Sequence, residues 1–205
     1  MLLSALDLLD FYRQGYFPMA EHADDEEFMI VAPKVRALLP IRDLHISKSL
    51  QKLVKKAPFE IRIDTDFAAV IAACAEQQEG RPETWINAEI QRLFIELHEM
   101  GYAHSVECWR EGKLVGGLYG LALGGLFCGE SMFSRVPNAS KVALVHLCAR
   151  LDAAGFSLLD AQFRNPHLEQ FGLYEMPQAD YVRAIQPLLS ENHTFPQGFD
   201  FPYKG

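Results

Sequence analysis

Apolar positions along the chain fall into two rhythms. Near the start, Ala5, Leu8, Leu9 and Tyr12 recur at helical spacing behind Ser4 and Asp7. That predicts a capped helix, with Gly15 as its stop. Residues 28–46 hold short extended pieces punctuated by Pro33 and Pro40, and Phe59-Glu60-Ile61-Arg62-Ile63-Asp64 alternates as a strand does. Helical spacing returns at 66–77 and 87–100, the second stretch ending at Gly101. Three strands are predicted next, at about 103–110, 113–122 and 126–133, with Glu111-Gly112 as the first turn. A helix over about 139–154 ends at Gly155, a strand over 158–162 runs into a polar loop, and Pro177 opens a last helix to about 189. The order β-α-α-β-β-β-α-β-α predicts an α/β layered architecture.

Two adjoining segments break these rhythms. Leu114–Ala122 and the following Leu123-Gly124-Gly125 form an apolar run rich in glycine, and glycines inside strands mark close approach of a backbone or ligand. Phe127-Cys128-Gly129-Glu130-Ser131-Met132-Phe133-Ser134-Arg135 then places a carboxylate, hydroxyls and a guanidinium in an aromatic run. An unpaired buried charge costs several kcal/mol, so a plain core strand avoids this composition. Together the segments read as a hairpin whose second strand carries a binding site, with an ion pair between Glu130 and Arg135 as the structural alternative. A strand over 158–162 would put Asp160 and Gln162 on one face and Leu159 and Ala161 on the other.

Composition narrows the class. Four cysteines at 74, 108, 128 and 148 have no metal-type spacing, and Cys128 beside Phe127 reads as inert packing. The run 114–128 holds five glycines and is too short to span a bilayer, and Met1-Leu2-Leu3 passes quickly to Asp7 and Asp10. A reduced, cytoplasmic chain with no membrane partner is expected. A net charge of −8 argues against broad nucleic-acid binding, yet Lys48, Lys52, Lys55 and Lys56 cluster on a helix capped by Ser47. On charge alone that cluster is a solvated face. The acidic run 21–27 reads as an exposed loop.

The chain resembles the leucyl/phenylalanyl-tRNA–protein transferases. The resemblance runs through Gln14-Gly15-Tyr16-Phe17-Pro18, Leu44-His45-Ile46-Ser47-Lys48-Ser49, Thr84-Trp85-Ile86, Leu97 to Ser105, the 127–135 segment and Leu159-Asp160-Ala161-Gln162. It implies an acetyltransferase-like (GNAT) α/β domain (α+β, mixed sheet) at 61–205 and a small N-terminal domain at 1–60. It implies transfer of Leu or Phe from aminoacyl-tRNA to the N-terminal amine of proteins beginning with Arg or Lys, by a monomer without metal or bound cofactor. By the same resemblance Asp160 and Gln162 are the catalytic pair, although a neutral amide is a very poor base and Gln162 fits positioning at least as well. Glu130 would hold the acceptor's amine or its cationic residue. Leu118, Phe127 and Leu144 would form the pocket for the donor side chain, Trp85 would stack on the terminal adenosine, and Asn165 would add a polar contact. Lys48, Lys52, Lys55 and Lys56 would contact tRNA phosphates.

The chain departs from that family at Ile30-Val31, where a Trp pair is usual, and at Met19, where a Trp follows Phe-Pro. Donor preference is therefore open at this stage. Two other readings stand beside the first. One is an acyl-CoA-dependent N-acyltransferase, which the glycine-free segment 134–138 before the 139–154 helix disfavours. The other is a noncatalytic binder of N-terminal Arg/Lys peptides or tRNA ends.

Overall fold

The computed structural model describes residues 3–76, 84–199 and 201. Helix α1 (Ala5–Arg13) opens with a reciprocal capping box between Ser4 and Asp7, the satisfied form of the pattern read from sequence. Gly15 follows with φ +84°, the left-handed turn that ends it. A two-stranded ribbon comes next, β1 (Phe17–Met19) antiparallel to β2 (Met29–Val31), then β3 (Val35–Leu39) and α2 (Lys48–Lys55). The middle of the chain runs β4 (Glu60–Ile63), α3 (Phe67–Ala75), α4 (Ala88–Glu99), β5 (Ala103–Arg110), β6 (Lys113–Leu123) and β7 (Leu126–Ser134). The last part holds α5 (Ala139–Ala153), β8 (Leu158–Asp160), the single turn α6 (Pro166–Glu169), β9 (Tyr174–Pro177) and α7 (Gln178–Leu188).

Among the described residues seven strands form one mixed sheet in the order β4-β5-β6-β7-β8-β3-β9, in which β7 and β8 are parallel and the other pairs antiparallel. The β5–β6 turn is built on Glu111 (φ 51°) and Gly112 (φ 71°), two left-handed residues as a tight hairpin requires. Side chains alternate between two cores. Tyr119, Leu121 and Cys128 face a cluster with α1, α3, α4 and α7, while Val106, Leu118 and Phe127 face a cluster with α2 and α5. Helix α5 is buried nearly all round, which accounts for the absence of a strong polar stripe over 139–154.

Residues within 1–60 join the sheet and the core formed with 61–205: β3 lies between β8 and β9, and Leu8, Leu9 and Tyr12 pack with Ile71 and Phe94. Pro177 opens the last helix as its N-cap, and it also ends β9, where it pairs with Val35. The strand expected over 158–162 stops at Asp160, and residue 77 of the expected 66–77 helix lies outside the described residues.

Candidate active site

The parallel pair β7–β8 is short. It runs from Leu126 opposite Leu158 to Cys128 opposite Asp160. Beyond that point β7 continues to Ser134 while β8 has ended. The strands part, and a cavity of about 720 Å³ opens between Gly129–Ser134 on one lip and Asp160–Gln162 on the other. Clefts at the carboxyl ends of parallel strands are a common place for ligands.

The sheet prepares this lip with a local irregularity. On β6, Tyr119 pairs with Ser131 and Gly120 with Gly129, so Glu130 is the extra residue of a β-bulge. Bulges re-aim a side chain, and this one turns Glu130 into the cavity wall. Gly120 is required beside it, because a Cβ there would sit 2.4 Å from both the Cys128 carbonyl and the Phe127 ring.

The opposite lip is held by a buried ion pair. Asp160 and Arg36 are both fully buried. Arg36 Nε donates to Oδ1 and Oδ2 at 2.9 Å, and one terminal nitrogen donates to Oδ2 at 2.7 Å. The other terminal nitrogen donates to the Gly15 carbonyl at 3.0 Å, and the guanidinium lies 4.7 Å from the Phe17 ring centre and 4.4 Å from that of Tyr181. Burial pulls the Arg36 guanidinium down, but Asp160 outweighs it and holds the group above its ordinary value. The Tyr181 hydroxyl donates to Oδ2 at 2.8 Å, and the Gln162 backbone N–H donates to Oδ1 at 2.9 Å. Every lone-pair direction of Asp160 is thus engaged.

Gln162 sits past the strand end in the left-handed region, at φ 55°. The pairing of Asp160 and Gln162 by strand alternation is therefore corrected. They meet through a turn in which Asp160 accepts the Gln162 backbone N–H, and that turn sends the side-chain amide across the cleft to donate to Glu130 Oε1 at 3.0 Å. Glu130 Oε2 is enclosed and has no hydrogen-bond partner among the described residues. Burial pushes the Glu130 carboxyl up to about 8, opposed by Tyr12, reinforced by Asp160, and opposed again by Arg36 and Gln162. The hydroxyls of Tyr12 and Tyr119 are likewise buried, and that of Tyr12 is close enough to Glu130 to bear on its carboxyl.

The other candidates divide. Trp85, Leu118 and Leu144 line the cavity, as does Asn165, whose side chain also caps α6 by accepting from the His167 N–H. Phe127 does not line it. The ring is fully buried and packs on Phe195 with centroids 5.5 Å apart, so its expected place in the donor pocket is corrected to core. Arg135 pairs with Glu76 at 2.6 Å rather than with Glu130. Cys128 is fully buried and its thiol is pushed well above its ordinary value, which suits packing and not nucleophilic attack. Lys48, Lys52, Lys55 and Lys56 are exposed and make no ion pair among the described residues. Their helix α2 packs on α5, which supplies Ser140, Lys141 and Leu144 to the cavity. Ile30 and Val31 lie in the ribbon and pack partly buried against the core, outside the described cavity wall.

Arg36 and Tyr181 escaped the sequence reading. The available signal was a lone arginine inside the apolar strand Val35-Arg36-Ala37-Leu38-Leu39. A charge at such a position calls for a buried partner.

Residues 38–186 match the family model described as leucyl/phenylalanyl-tRNA protein transferase. Curated relatives carry the same name. One from Phenylobacterium zucineum (strain HLK1) is 54% identical over 93% of this chain and 86% of its own length. One from Paramagnetospirillum magneticum (strain ATCC 700264 / AMB-1) is 52% identical over 94% and 92%, and one from Hyphomonas neptunium (strain ATCC 15444) 50% over 96% and 76%. With a family model spanning most of its length and relatives this similar over 93% or more of it, the chain belongs to the leucyl/phenylalanyl-tRNA protein transferase family.

Proposed function

We propose that this chain transfers Leu or Phe from aminoacyl-tRNA to the N-terminal amine of proteins beginning with Arg or Lys, marking them for degradation. The observation that carries the reading is the cleft itself. Leu118 and Leu144 give one wall the apolar character a Leu or Phe side chain needs, and the polar group Glu130, Gln162 and Asp160 lies in the same cavity. The chemistry is aminolysis of an ester, which requires orientation, a neutral amine and disposal of one proton.

In this reading Asp160 is an anchor and not a base, because Arg36, Tyr181 and the Gln162 N–H occupy both of its oxygens. Gln162 positions the reacting groups through the amide it sends across the cleft. Trp85 stacks on the terminal adenosine, a contact worth about 1–3 kcal/mol, and Asn165 adds a polar contact. The free lysines of α2 meet tRNA phosphates, so binding weakens with salt. The domain at 61–205 is acetyltransferase-like, 1–60 contributes the basic helix, and the working form is a cytoplasmic monomer. No helix among the described residues is long and apolar enough to cross a membrane.

The test is incubation with radiolabelled Leu-tRNA or Phe-tRNA and a peptide beginning with Arg, beside one beginning with Ala and beside an acyl-CoA donor. Label in the Arg peptide from charged tRNA supports the reading. Label only from acyl-CoA, or peptide binding without transfer, would overturn it.

A further inference from the structure

The turn that carries Gln162 does not hold itself. Gln162 has φ 55°, a conformation that a residue other than glycine keeps only where its surroundings enforce it. Part of that enforcement comes from β3. The Ala161 N–H donates to the Ala37 carbonyl at 2.9 Å, and the Ala37 N–H donates to the Gln162 carbonyl at 3.1 Å. Arg36, beside Ala37, grips Asp160, whose Oδ1 accepts the Gln162 N–H. None of these bonds reaches Phe163, where the chain leaves the turn.

The segment 14–18 supplies the missing support. None of its residues lines the cavity. The Gly15 carbonyl accepts from Arg36 at 3.0 Å and from the Gln178 side-chain amide at 2.9 Å. Only glycine suits that position, because φ is +84° and a Cβ would sit 2.9 Å from the Val182 side chain. Phe17 is buried, at 4% exposure. The Arg36 guanidinium carbon lies 4.7 Å from the centre of its ring, and the Phe163 ring meets it edge to face, with centroids 5.4 Å apart and planes at 84°. One ring therefore touches the turn from both ends. It meets the arginine that fixes Asp160 at the entry and the aromatic residue that follows Gln162 at the exit.

We propose that Phe17 is a positioning residue for Gln162, clamping the turn 160–163 between Arg36 and Phe163 so that the Gln162 amide is aimed across the cleft. The inference deepens the aminoacyl-transfer reading above and rests on it. Phe17 stands outside the cavity wall and acts on the reaction through Gln162. A displacement of about 1 Å at a reacting centre can cost about 100-fold in rate, so a small slackening of the turn is enough to register. Phe163 is the place to loosen the clamp. Its ring is 43% exposed, so truncating it opens no core cavity and the fold survives. Phe17→Leu cuts the same contact from the buried side while keeping an apolar side chain there.

The experiment makes two measurements on wild type, Phe163→Ala, Phe163→Tyr, Phe17→Leu and the double variant Phe17→Leu/Phe163→Ala. One is single-turnover transfer of Leu from Leu-tRNA to an Arg-starting peptide, with the affinities for peptide and tRNA measured separately. The other is hydrogen exchange at the Gln162 backbone amide, which its bond to Asp160 protects. Phe163→Ala should lower the rate at saturating substrates at least ~10-fold, leave both affinities within about threefold, and speed Gln162 exchange at least ~10-fold. Phe163→Tyr keeps the ring edge and recovers most of the rate and of the protection. The double variant is no slower than Phe17→Leu, because both substitutions cut one contact. A Phe163→Ala rate within about threefold of wild type, unchanged Gln162 exchange, or losses that multiply in the double variant would overturn the proposal. So would a loss confined to peptide or tRNA affinity, which would make Phe163 a substrate contact. A wild type that transfers neither Leu nor Phe would overturn the aminoacyl-transfer reading itself, a result distinct from an active wild type beside an equally active Phe163→Ala.

Discussion

Two glutamates in one sheet show how the same residue can be made scaffold or site. Glu107 on β5 is fully buried, and four donors reach it: the backbone N–H groups of Thr65 and Asp66, the Ser105 hydroxyl and the Trp109 indole. Glu130 on β7 has the Gln162 amide on one oxygen, while its other oxygen is enclosed and the buried Tyr12 hydroxyl bears on the carboxyl. Glu107 faces the chain around it and fixes the start of α3. Glu130 lines a cavity and has fewer donors around it. The difference teaches that a buried carboxylate marks a site by what it lacks, because a satisfied one is indistinguishable in chemistry from a turn or a cap. Asp160, which lines the same cavity as Glu130, belongs with Glu107 on this measure.

The comparison is easiest to break at the saturated end. Arg36→Met removes the only cation bonded to Asp160 among the described residues and leaves a buried charge uncompensated, so urea denaturation should show a loss of about 3–5 kcal/mol. A loss below about 1 kcal/mol would mean that Asp160 finds other partners and is less committed than its bonds imply. Glu107→Ala orphans four donors and should cost about 3 kcal/mol by the same measurement, while the transfer rate per folded molecule stays near wild type.

The unsaturated end should behave oppositely. An unfolded Glu130 loses its proton near ~4.3, but the folded one keeps it to about 8. Folding therefore takes up a proton between those values. The stability contributed by this group is full below the lower value and declines as pH rises to the upper one. Glu130→Gln removes that decline. Its thermal midpoint should match wild type near about pH 4 and exceed it by the equivalent of about 1–2 kcal/mol above pH 8, less than full linkage because the cavity opens to water. Parallel curves for the two proteins would show that Glu130 ionises normally. The smallest effect sharpens the contrast: Ser105→Ala withdraws one of four donors from Glu107 and should cost about 1 kcal/mol, measured by the same denaturation.

Much of this arrangement was legible in the sequence where interactions are local. The Ser4–Asp7 capping box, the Glu111-Gly112 turn and the β5–β7 meander depend on residues a few positions apart, and periodicity reports them well. The resemblance brought Asp160, Gln162, Glu130, Trp85, Leu118, Leu144 and Asn165 together, and all of them line one cavity. What escaped depends on long-range pairing. Arg36 finds Asp160 at a separation of 124 residues, and no local rhythm announces that. β9 is four residues with a proline at its end and exposed positions at Tyr174 and Glu175, too short and too polar to read as a strand. Phe127 and Leu118 look alike in sequence. Only the sheet shows that Phe127 folds over Gly120 into the core while Leu118 reaches the cleft.

The place of β3 in the sheet has a consequence for how the protein is made. Arg36 leaves the ribosome before the residues that receive it, Asp160 and Tyr181, which follow 124 and 145 positions later. At about 5–20 residues per second, synthesis holds that guanidinium without its partners for several seconds or more. The strand that carries it has its sheet neighbours, β8 and β9, only in the last quarter of the chain. A nascent chain short of α7 therefore lacks the Tyr181 hydroxyl that completes the hydrogen bonds of Asp160 at the cleft.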